Sequence, residues 1–139
     1  MKIYYAMSIS GEHSESSEDI NVKLIEYLKN YGEVLTELFA NPAYKNIGET
    51  HLTDKEIHDR DMDWLLSSDL IVAEVSNKSF GVGYEIGRAV ENNKKILCLR
   101  KKSKKRLSAM ISGCDKLILK EYADLEDAKK EINIYMNSF

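Results

Sequence analysis

Hydrophobic residues occur in two kinds of stretch that alternate along the chain. Short apolar runs have the length and composition of buried β-strands, and they lie at 3–7, 34–39, 69–75, 95–99 and 116–121. Longer stretches repeat apolar residues every three or four positions, which predicts helices at 18–31, 54–66, 81–92, 107–111 and 125–135. Thr53 and Glu56 have the spacing of a capping box before the second helix, and Gly32 follows the end of the first.

This alternation predicts the fold class. Parallel strands need a crossover that a helix supplies, so five strands separated by helices favour a parallel sheet covered on both faces. We predict an α/β fold with a doubly wound, five-stranded parallel sheet of flavodoxin-like (Rossmann-like) order, in a single domain over residues 1–139. Ligands of such sheets bind beyond the carboxyl ends of the strands, where the strand order reverses. The loops after the first three strands are therefore the expected location of a site.

Composition narrows the class of protein. The chain has 139 residues, of which 43% are hydrophobic, enough for one core without disulfides or a structural metal. A net charge of -3 argues against a general nucleic-acid-binding protein, and the apolar runs are too short to span a membrane. The two cysteines and three histidines lack metal-ligand spacing, and the N-terminus lacks signal-peptide features. We expect a cytoplasmic protein that uses neither a metal nor a cofactor.

An acidic residue falls on the apolar face of the second predicted helix. Successive helical residues rotate by about 100°, which places Asp61 on the same face as Ile57, Trp64 and Leu65. Burying a carboxylate is costly unless it is paired or protonated. Asp61 is therefore either part of a structural ion pair or a catalytic group, and the helix alone favours neither.

A second acid, Glu85, follows Gly81 and Gly83 at the predicted first turn of the third helix. N–H groups at a helix N-terminus stabilise an anion by roughly 0.3 to 1 kcal/mol, which would keep a nucleophilic carboxylate ionised. Acids are also common in first turns because they complement the helix dipole, and for Glu85 alone that explanation suffices.

The glycines beside Glu85 indicate a place where a ligand approaches the backbone. Together with Ser79, Gly81 and Gly83 are candidates for holding a phosphate or a sugar hydroxyl, although a tight strand-to-helix turn explains them as well. Ile86 stands where a dinucleotide-binding fingerprint needs glycine, so a Rossmann cofactor site is disfavoured.

The segment 100–106, with the sequence RKKSKKR, is the strongest charge cluster and falls in a predicted loop before Ser108. Most such runs are simply solvated. The functional interpretation is that this run attracts a phosphorylated substrate over a long range.

Assembled in this order, these residues resemble the nucleoside 2-deoxyribosyltransferase superfamily, most closely its 2'-deoxynucleoside 5'-phosphate N-hydrolase branch. The resemblance extends over nearly the whole chain, in short blocks whose order and spacing make the set specific. The blocks include IYY at 3–5, VLTE at 34–37, VAEV at 72–75, GVGYE at 81–85, ILCL at 96–99 and LSAMI at 107–111.

The resemblance implies hydrolysis of the N-glycosidic bond of 2'-deoxynucleoside 5'-monophosphates, to a free nucleobase and 2-deoxyribose 5-phosphate, through a covalent glycosyl-enzyme intermediate. It makes Glu85 the nucleophile, Asp61 the acid/base and Tyr4 the residue that orients the carboxylate. The substrate-binding positions that it implies are Ser8, Ile9, Ser10, Gly11, Ser79, Gly81, Gly83, Ser108 and Met110. Of these, the three serines at 8, 79 and 108 match positions that bind the 5'-phosphate, and the last is expected to reach in from the second subunit of a homodimer.

The chain departs from the branch at three positions near the substrate. The branch usually has glycine, arginine and histidine where this chain has Met7, Ser10 and Leu38. Loss of the arginine weakens phosphate selection unless a cation of the 100–106 segment substitutes, and the other two changes reshape the pocket for the base, so no base preference is carried over. Base exchange by transfer and nucleotide sensing without catalysis remain alternatives, because a fold alone does not fix a function.

Overall fold

One parallel sheet organises the chain. The structure is a computed structural model that describes residues 1–8, 15–40 and 51–139. Its five strands are β1 (Lys2–Ala6), β2 (Glu33–Val34), β3 (Leu70–Glu74), β4 (Lys95–Lys101) and β5 (Ile118–Tyr122). They lie in the order β2-β1-β3-β4-β5 and every neighbouring pair is parallel. The predicted flavodoxin-like order is confirmed, and the strand order reverses between β1 and β3.

Helices cover both faces of this sheet. They are α1 (Glu15–Leu28), α2 (Asp54–Ser67), α3 (Phe80–Glu91), α4 (Ala109–Ser112) and α5 (Leu125–Met136). Successive residues of a strand point to opposite faces, so Tyr5 packs in a core with residues of α1 and α5. Its neighbour Tyr4 packs in a second core with residues of α2 and α3. Within the described ranges, no helix combines the length and apolar character needed to cross a membrane.

The second strand is much shorter than the predicted 34–39. After Val34, the hydroxyl of Thr36 accepts a hydrogen bond from the Tyr5 N–H at 2.9 Å and donates one to the Tyr5 carbonyl at 3.0 Å. A side chain thus replaces the next step of the backbone ladder, and the chain turns into a 3-10 helix at Glu37–Ala40. Phe39 enters the core from that turn rather than from a strand. The prediction of a strand at 34–39 is therefore wrong beyond its first residue.

Gly32 has a different role from the one predicted. The first helix ends at Leu28 rather than at residue 31, so Gly32 does not terminate it directly. A Cβ at Gly32 would lie 2.2 Å from the carbonyl oxygen of Met1, which accepts the N–H of Glu33 at 2.9 Å. Glycine is needed here because the start of β2 passes directly against the start of β1.

Both ends of α2 are fixed by polar contacts. The predicted capping box is confirmed: the Thr53 hydroxyl accepts the Glu56 N–H at 3.2 Å, and the Glu56 carboxylate accepts the Thr53 N–H at 3.1 Å. At the other end, the ammonium group of Lys94 donates to the carbonyls of Leu66 and Ser68, at 2.5 and 2.9 Å. These contacts tie α2 to the start of β4 and hold its inner face against the sheet.

Candidate active site

Tyr4, Asp61 and Glu85 come together on the α2/α3 face of the sheet. Tyr4 lies in the middle of β1 and is fully buried, and Asp61 lies in the middle of α2 with only 9% of its surface exposed. Glu85 is partly buried in α3. Burial and then the charges of both acids raise the pKa of Tyr4, so both carboxyl groups lie within electrostatic range of its hydroxyl. The structure therefore brings together the three residues predicted to be catalytic.

The carboxyl group of Glu85 is not the dipole-stabilised anion that the sequence predicts. Ser79 caps α3, so Glu85 lies in the second turn of the helix, and the first turn contains no acid. Burial raises the pKa of Glu85 to about 7, hydrogen bonding with Tyr4 acts in the opposite direction, and repulsion from Asp61 adds to the increase. Glu85 is consequently a carboxyl group that exchanges its proton near neutral pH.

The hydroxyl of Tyr4 is a buried donor without a completed hydrogen bond. It is the one buried side-chain polar atom, among those of the described residues, that lacks a partner of good geometry. It lies close enough to Glu85 for hydrogen bonding to lower the pKa of that carboxyl group. Because burial raises the pKa of Tyr4, its hydroxyl stays protonated at neutral pH and is available to donate.

Arg60 is a site residue that the sequence analysis missed. Its Nε and Nη2 atoms both donate to Oδ1 of Asp61, at 3.0 and 2.8 Å, and its guanidinium stacks over the Trp64 ring at 4.5 Å from the centroid. The cation lies next to Asp61 in the chain and four residues before the tryptophan, a spacing at which helical side chains meet. Asp61 is therefore ion-paired with Arg60 and also close to Glu85. A structural ion pair and a catalytic role, the two explanations that the sequence left open for Asp61, are thus compatible.

Two of the predicted serines flank the point where the strand order reverses. Ser8 is buried immediately beyond β1, and Ser79 follows β3. The Ser79 hydroxyl accepts the Val82 N–H at 3.2 Å, while the first N–H groups of α3, those of Phe80 and Gly81, have no acceptor within the helix. A group with negative charge would find donors at this edge of the sheet.

Gly81 and Gly83 lie inside the first turn of α3, because Ser79 caps the helix. A Cβ added at Gly83 would meet no described atom within 4 Å, and one at Gly81 would meet the Ser79 hydroxyl oxygen at 3.8 Å. The absence of side chains thus leaves open surface beside Glu85, as close approach of a ligand requires.

Ser108 and Met110 belong to a different part of the edge. Ser108 caps α4 beyond β4, where its hydroxyl accepts the Met110 N–H at 3.2 Å. The Met110 side chain is 83% exposed, and Phe80, next to Ser79, is fully exposed. Ile9, Ser10 and Gly11 lie outside the described residues. Within the described ranges, no group of histidine, cysteine or acidic side chains is arranged to hold a metal ion.

The basic segment begins as strand rather than loop. Arg100 and Lys101 belong to β4, and Arg100 is buried, with its guanidinium donating to the carbonyl of Lys105. The Lys105 N–H donates in turn to the Ser103 hydroxyl at 3.1 Å. A buried arginine therefore folds the segment back on the sheet, while the remaining cations stay exposed to solvent.

The titration of Glu85 predicts a pH-dependent stability. Its pKa rises from 4.5 to about 7 on folding, so the folded state binds more protons than the unfolded state between these values, and stability falls as the pH increases through that window. Glu85→Gln removes this penalty. At about 1.4 kcal/mol per pKa unit, we expect the variant to gain up to roughly 3 kcal/mol over the wild type between pH 4.5 and 8. Urea unfolding of both proteins across this range measures the difference, and parallel stability curves would contradict it.

A pair of acids beside a buried tyrosine, on one face of a doubly wound sheet, is the composition expected of a two-carboxylate glycosidase site. Residues 3–134 match the nucleoside 2-deoxyribosyltransferase family, and the chain belongs to that family. A 5-hydroxymethyl-dUMP N-hydrolase of Danio rerio is 46% identical over 132 residues, covering 94% of this chain and 91% of that protein. The enzyme of the same name from Tetraodon nigroviridis is 47% identical over 118 residues, covering 83% and 81%. A solved structure of the Clostridium botulinum CMP N-glycosidase shares the fold, with a TM-score of 0.72 at 17% identity, covering 97% and 99% of the two chains.

Proposed function

We propose that this protein hydrolyses the N-glycosidic bond of 2'-deoxynucleoside 5'-monophosphates, releasing the free base and 2-deoxyribose 5-phosphate. The observation that carries the proposal is the convergence of Glu85, Asp61 and Tyr4 on one buried site. Relatives that act on a nucleotide of this kind are 46 and 47% identical to the chain, and they support the same class of substrate.

The proposed reaction has two steps with opposite proton transfers. A carboxylate oxygen of Glu85 attacks C1' of the sugar, the bond from C1' to the base nitrogen breaks, and Asp61 delivers a proton to the departing base. Water then attacks C1' of the glycosyl ester, Asp61 takes the proton of that water, and Glu85 leaves as a carboxylate. The Tyr4 hydroxyl donates to Glu85 while the latter is charged and orients it toward the sugar.

The proposed site for the 5'-phosphate lies at the carboxyl edge of the sheet. Ser8 and Ser79 flank the reversal point, and the N–H groups at the start of α3 that have no acceptor within the helix lie at the same edge. The exposed cations of the 100–106 segment attract the phosphate from a distance. Because the two neighbouring serines are short, they place the phosphate close to the backbone, beside the open surface at Gly83.

A substrate panel tests the function. Purified protein is incubated with each deoxynucleoside monophosphate, the matching ribonucleotides and the unphosphorylated deoxynucleosides, and the products are separated by chromatography. We expect free base and deoxyribose 5-phosphate from at least one deoxynucleotide. Unchanged substrate across the whole panel, combined with tight nucleotide binding, would instead identify a sensing module.

Base exchange is the second candidate, because the family takes its name from deoxyribosyltransferases. Adding a second free base to the panel separates the two reactions. A transferase makes more of the new nucleotide or nucleoside than of free sugar, whereas a hydrolase produces free sugar at the same rate with or without the added base.

The proposed active form is a homodimer in which Ser108 completes the phosphate site of the other subunit. Two exposed apolar side chains, Phe80 and Met110, lie beside Ser79 and Ser108, and a second copy of the chain would cover them. Ser108→Ala is expected to raise KM for nucleotides by about 10-fold through loss of one hydrogen bond to a charged group, with little change for nucleosides. Steady-state kinetics on matched nucleotide and nucleoside substrates measures this, and equal effects on both would rule out a phosphate role.

Mixed dimers provide the control for the location of Ser108. If it acts across the interface, a dimer of one Ser108→Ala chain and one Glu85→Gln chain contains one fully intact site. The two variant proteins are mixed and allowed to exchange subunits. At low substrate concentration, the activity of the mixture should then exceed the sum of the activities of the two separate samples. Strictly additive activity after subunit exchange would place Ser108 in its own subunit's site.

A further inference from the structure

Glu74 is a buried carboxylate that the proposed reaction does not use. It is the last residue of β3 and only 6% of its surface is exposed. It is close to Tyr5 on the α1/α5 face of the sheet, away from the face that carries Glu85. No cationic side chain of the described residues forms an ion pair with it. Because removing a lone carboxylate from water is costly, its hydrogen-bond partners indicate what it is for.

Two hydrogen bonds satisfy this carboxylate, and each comes from a different element. The backbone N–H of Ser76 donates to Oε1 at 2.5 Å, and the hydroxyl of Tyr122, at the end of β5, donates to Oε2. Burial and the neighbouring charge of Glu74 raise the pKa of Tyr122, so this hydroxyl remains a donor throughout the neutral range. Glu74 thus links the end of β5 to the first residues of the loop that leaves β3.

That loop, residues 75–79, is fixed to β4 as well. The Val75 N–H donates to the Leu99 carbonyl at 2.9 Å, and the Lys101 N–H donates to the Ser76 hydroxyl at 2.8 Å. Ser79 lies three residues beyond Ser76 and caps the helix that carries Glu85. The position of Ser76 therefore determines the position of Ser79 at the end of the loop.

We propose that Glu74 is a positioning residue for the phosphate end of the substrate, acting through the Ser76 N–H to hold the 75–79 loop and its Ser79 in place. This inference rests on the proposed function, since it uses the assignment of Ser79 to the 5'-phosphate. Glu74 touches neither substrate nor the reacting atoms. It acts from the opposite face of the sheet and sets the geometry with which the nucleotide is bound.

The experiment compares KM with kcat in matched variants. Glu74→Ala is expected to raise KM for the deoxynucleotide about 10-fold or more, because small displacements of binding groups have large effects, while kcat changes less than about 3-fold. Binding of inorganic phosphate, measured by calorimetry, weakens by a similar factor. Glu74→Gln restores both values to near wild type, because its amide oxygen accepts the same Ser76 N–H.

Tyr122→Phe is the matched control. It removes the other hydrogen bond to Glu74 and the interaction of the Tyr122 hydroxyl with the Ser76 side chain, but it keeps the bond from the Ser76 N–H to Glu74. It should therefore lower the melting temperature and leave KM unchanged. An unchanged KM in folded Glu74→Ala, or an equal increase in Tyr122→Phe, overturns the proposal. Should Glu74→Ala not fold, Glu74→Asp carries the test, because it draws the carboxylate back from the Ser76 N–H by one methylene group. A KM at least about 3-fold higher supports the loop mechanism, and an unchanged KM overturns it.

Failure of the proposed function gives a different result. In that case the wild type itself turns over no substrate of the panel. Phosphate binding by the wild type and the four variants still decides the role of Glu74, because that measurement requires no catalysis.

Discussion

Glu85→Gln is expected to lower kcat by at least about 10³-fold while the protein remains folded. An amide oxygen is a far weaker nucleophile than a carboxylate and cannot form the glycosyl ester. The variant also replaces a half-buried acid by a neutral group of the same shape, so stability is retained or increased at neutral pH. Single-turnover measurements with the substrate found in the panel give the rate, and circular dichroism checks the fold.

A measurement of substrate binding shows whether the loss of kcat in Glu85→Gln comes from the missing nucleophile or from a disrupted binding site. Glu85→Gln should bind the nucleotide with a Kd within about 3-fold of the KM of the wild type, because the phosphate contacts lie elsewhere. Trapping provides a second check: rapid acid quenching of the wild type should yield a covalent adduct at Glu85 by mass spectrometry, absent from the variant. Turnover near the wild-type rate would reject Glu85 as the nucleophile.

Asp61→Asn is expected to lower kcat by about 10²- to 10⁴-fold, the usual contribution of a general acid or base. Asparagine keeps the size of the side chain but cannot deliver a proton to the departing base. The loss should depend on the leaving group, unlike that of Glu85→Gln. A deoxynucleotide whose base leaves without protonation, such as one with an N7-methylated purine, should regain much of the lost rate in Asp61→Asn.

Arg60→Gln is the control for the charge pair. Asp61→Asn also removes the acceptor of both guanidinium hydrogen bonds, so part of its effect comes from a misplaced side chain. Arg60→Gln disturbs the same pair but leaves the carboxyl group, and its effect should be the same for good and poor leaving groups. A loss in Asp61→Asn that is equally independent of the leaving group would contradict a role in proton transfer.

The sequence predicted the central strands and the inward face of α2 because both depend on burial patterns that local residues carry. Asp61 is an example, since its helical phase follows directly from its spacing to Leu65. The predicted second strand was wrong because Thr36 bonds to Tyr5, and that contact depends on a strand more than thirty residues away in the chain. An apolar pattern does not distinguish a core residue on a strand from one on a turn.

Within the site, too, local patterns along the chain did not predict contacts between distant elements. The pairing of Glu85 with Tyr4 and Asp61 depends on three elements meeting, and the residue blocks identified it through resemblance rather than through periodicity. The prediction that the helix dipole stabilises the Glu85 anion was wrong because α3 begins at Phe80, ahead of both glycines. The resulting extra turn moves the carboxyl group away from the helix terminus and makes burial, not the dipole, its main influence.

The shortness of β2 affects how the protein behaves at high concentration. An exposed edge strand offers unpaired backbone groups on which another chain can add a strand, and long flat edges promote aggregation. Here that edge is only Glu33–Val34, and the bonds between Thr36 and Tyr5 turn the following backbone away into a 3-10 helix. At the opposite edge, β5 carries Lys120 and Glu121, both exposed. A short edge on one side and a charged edge on the other thereby protect this open sheet of five strands against edge-to-edge association.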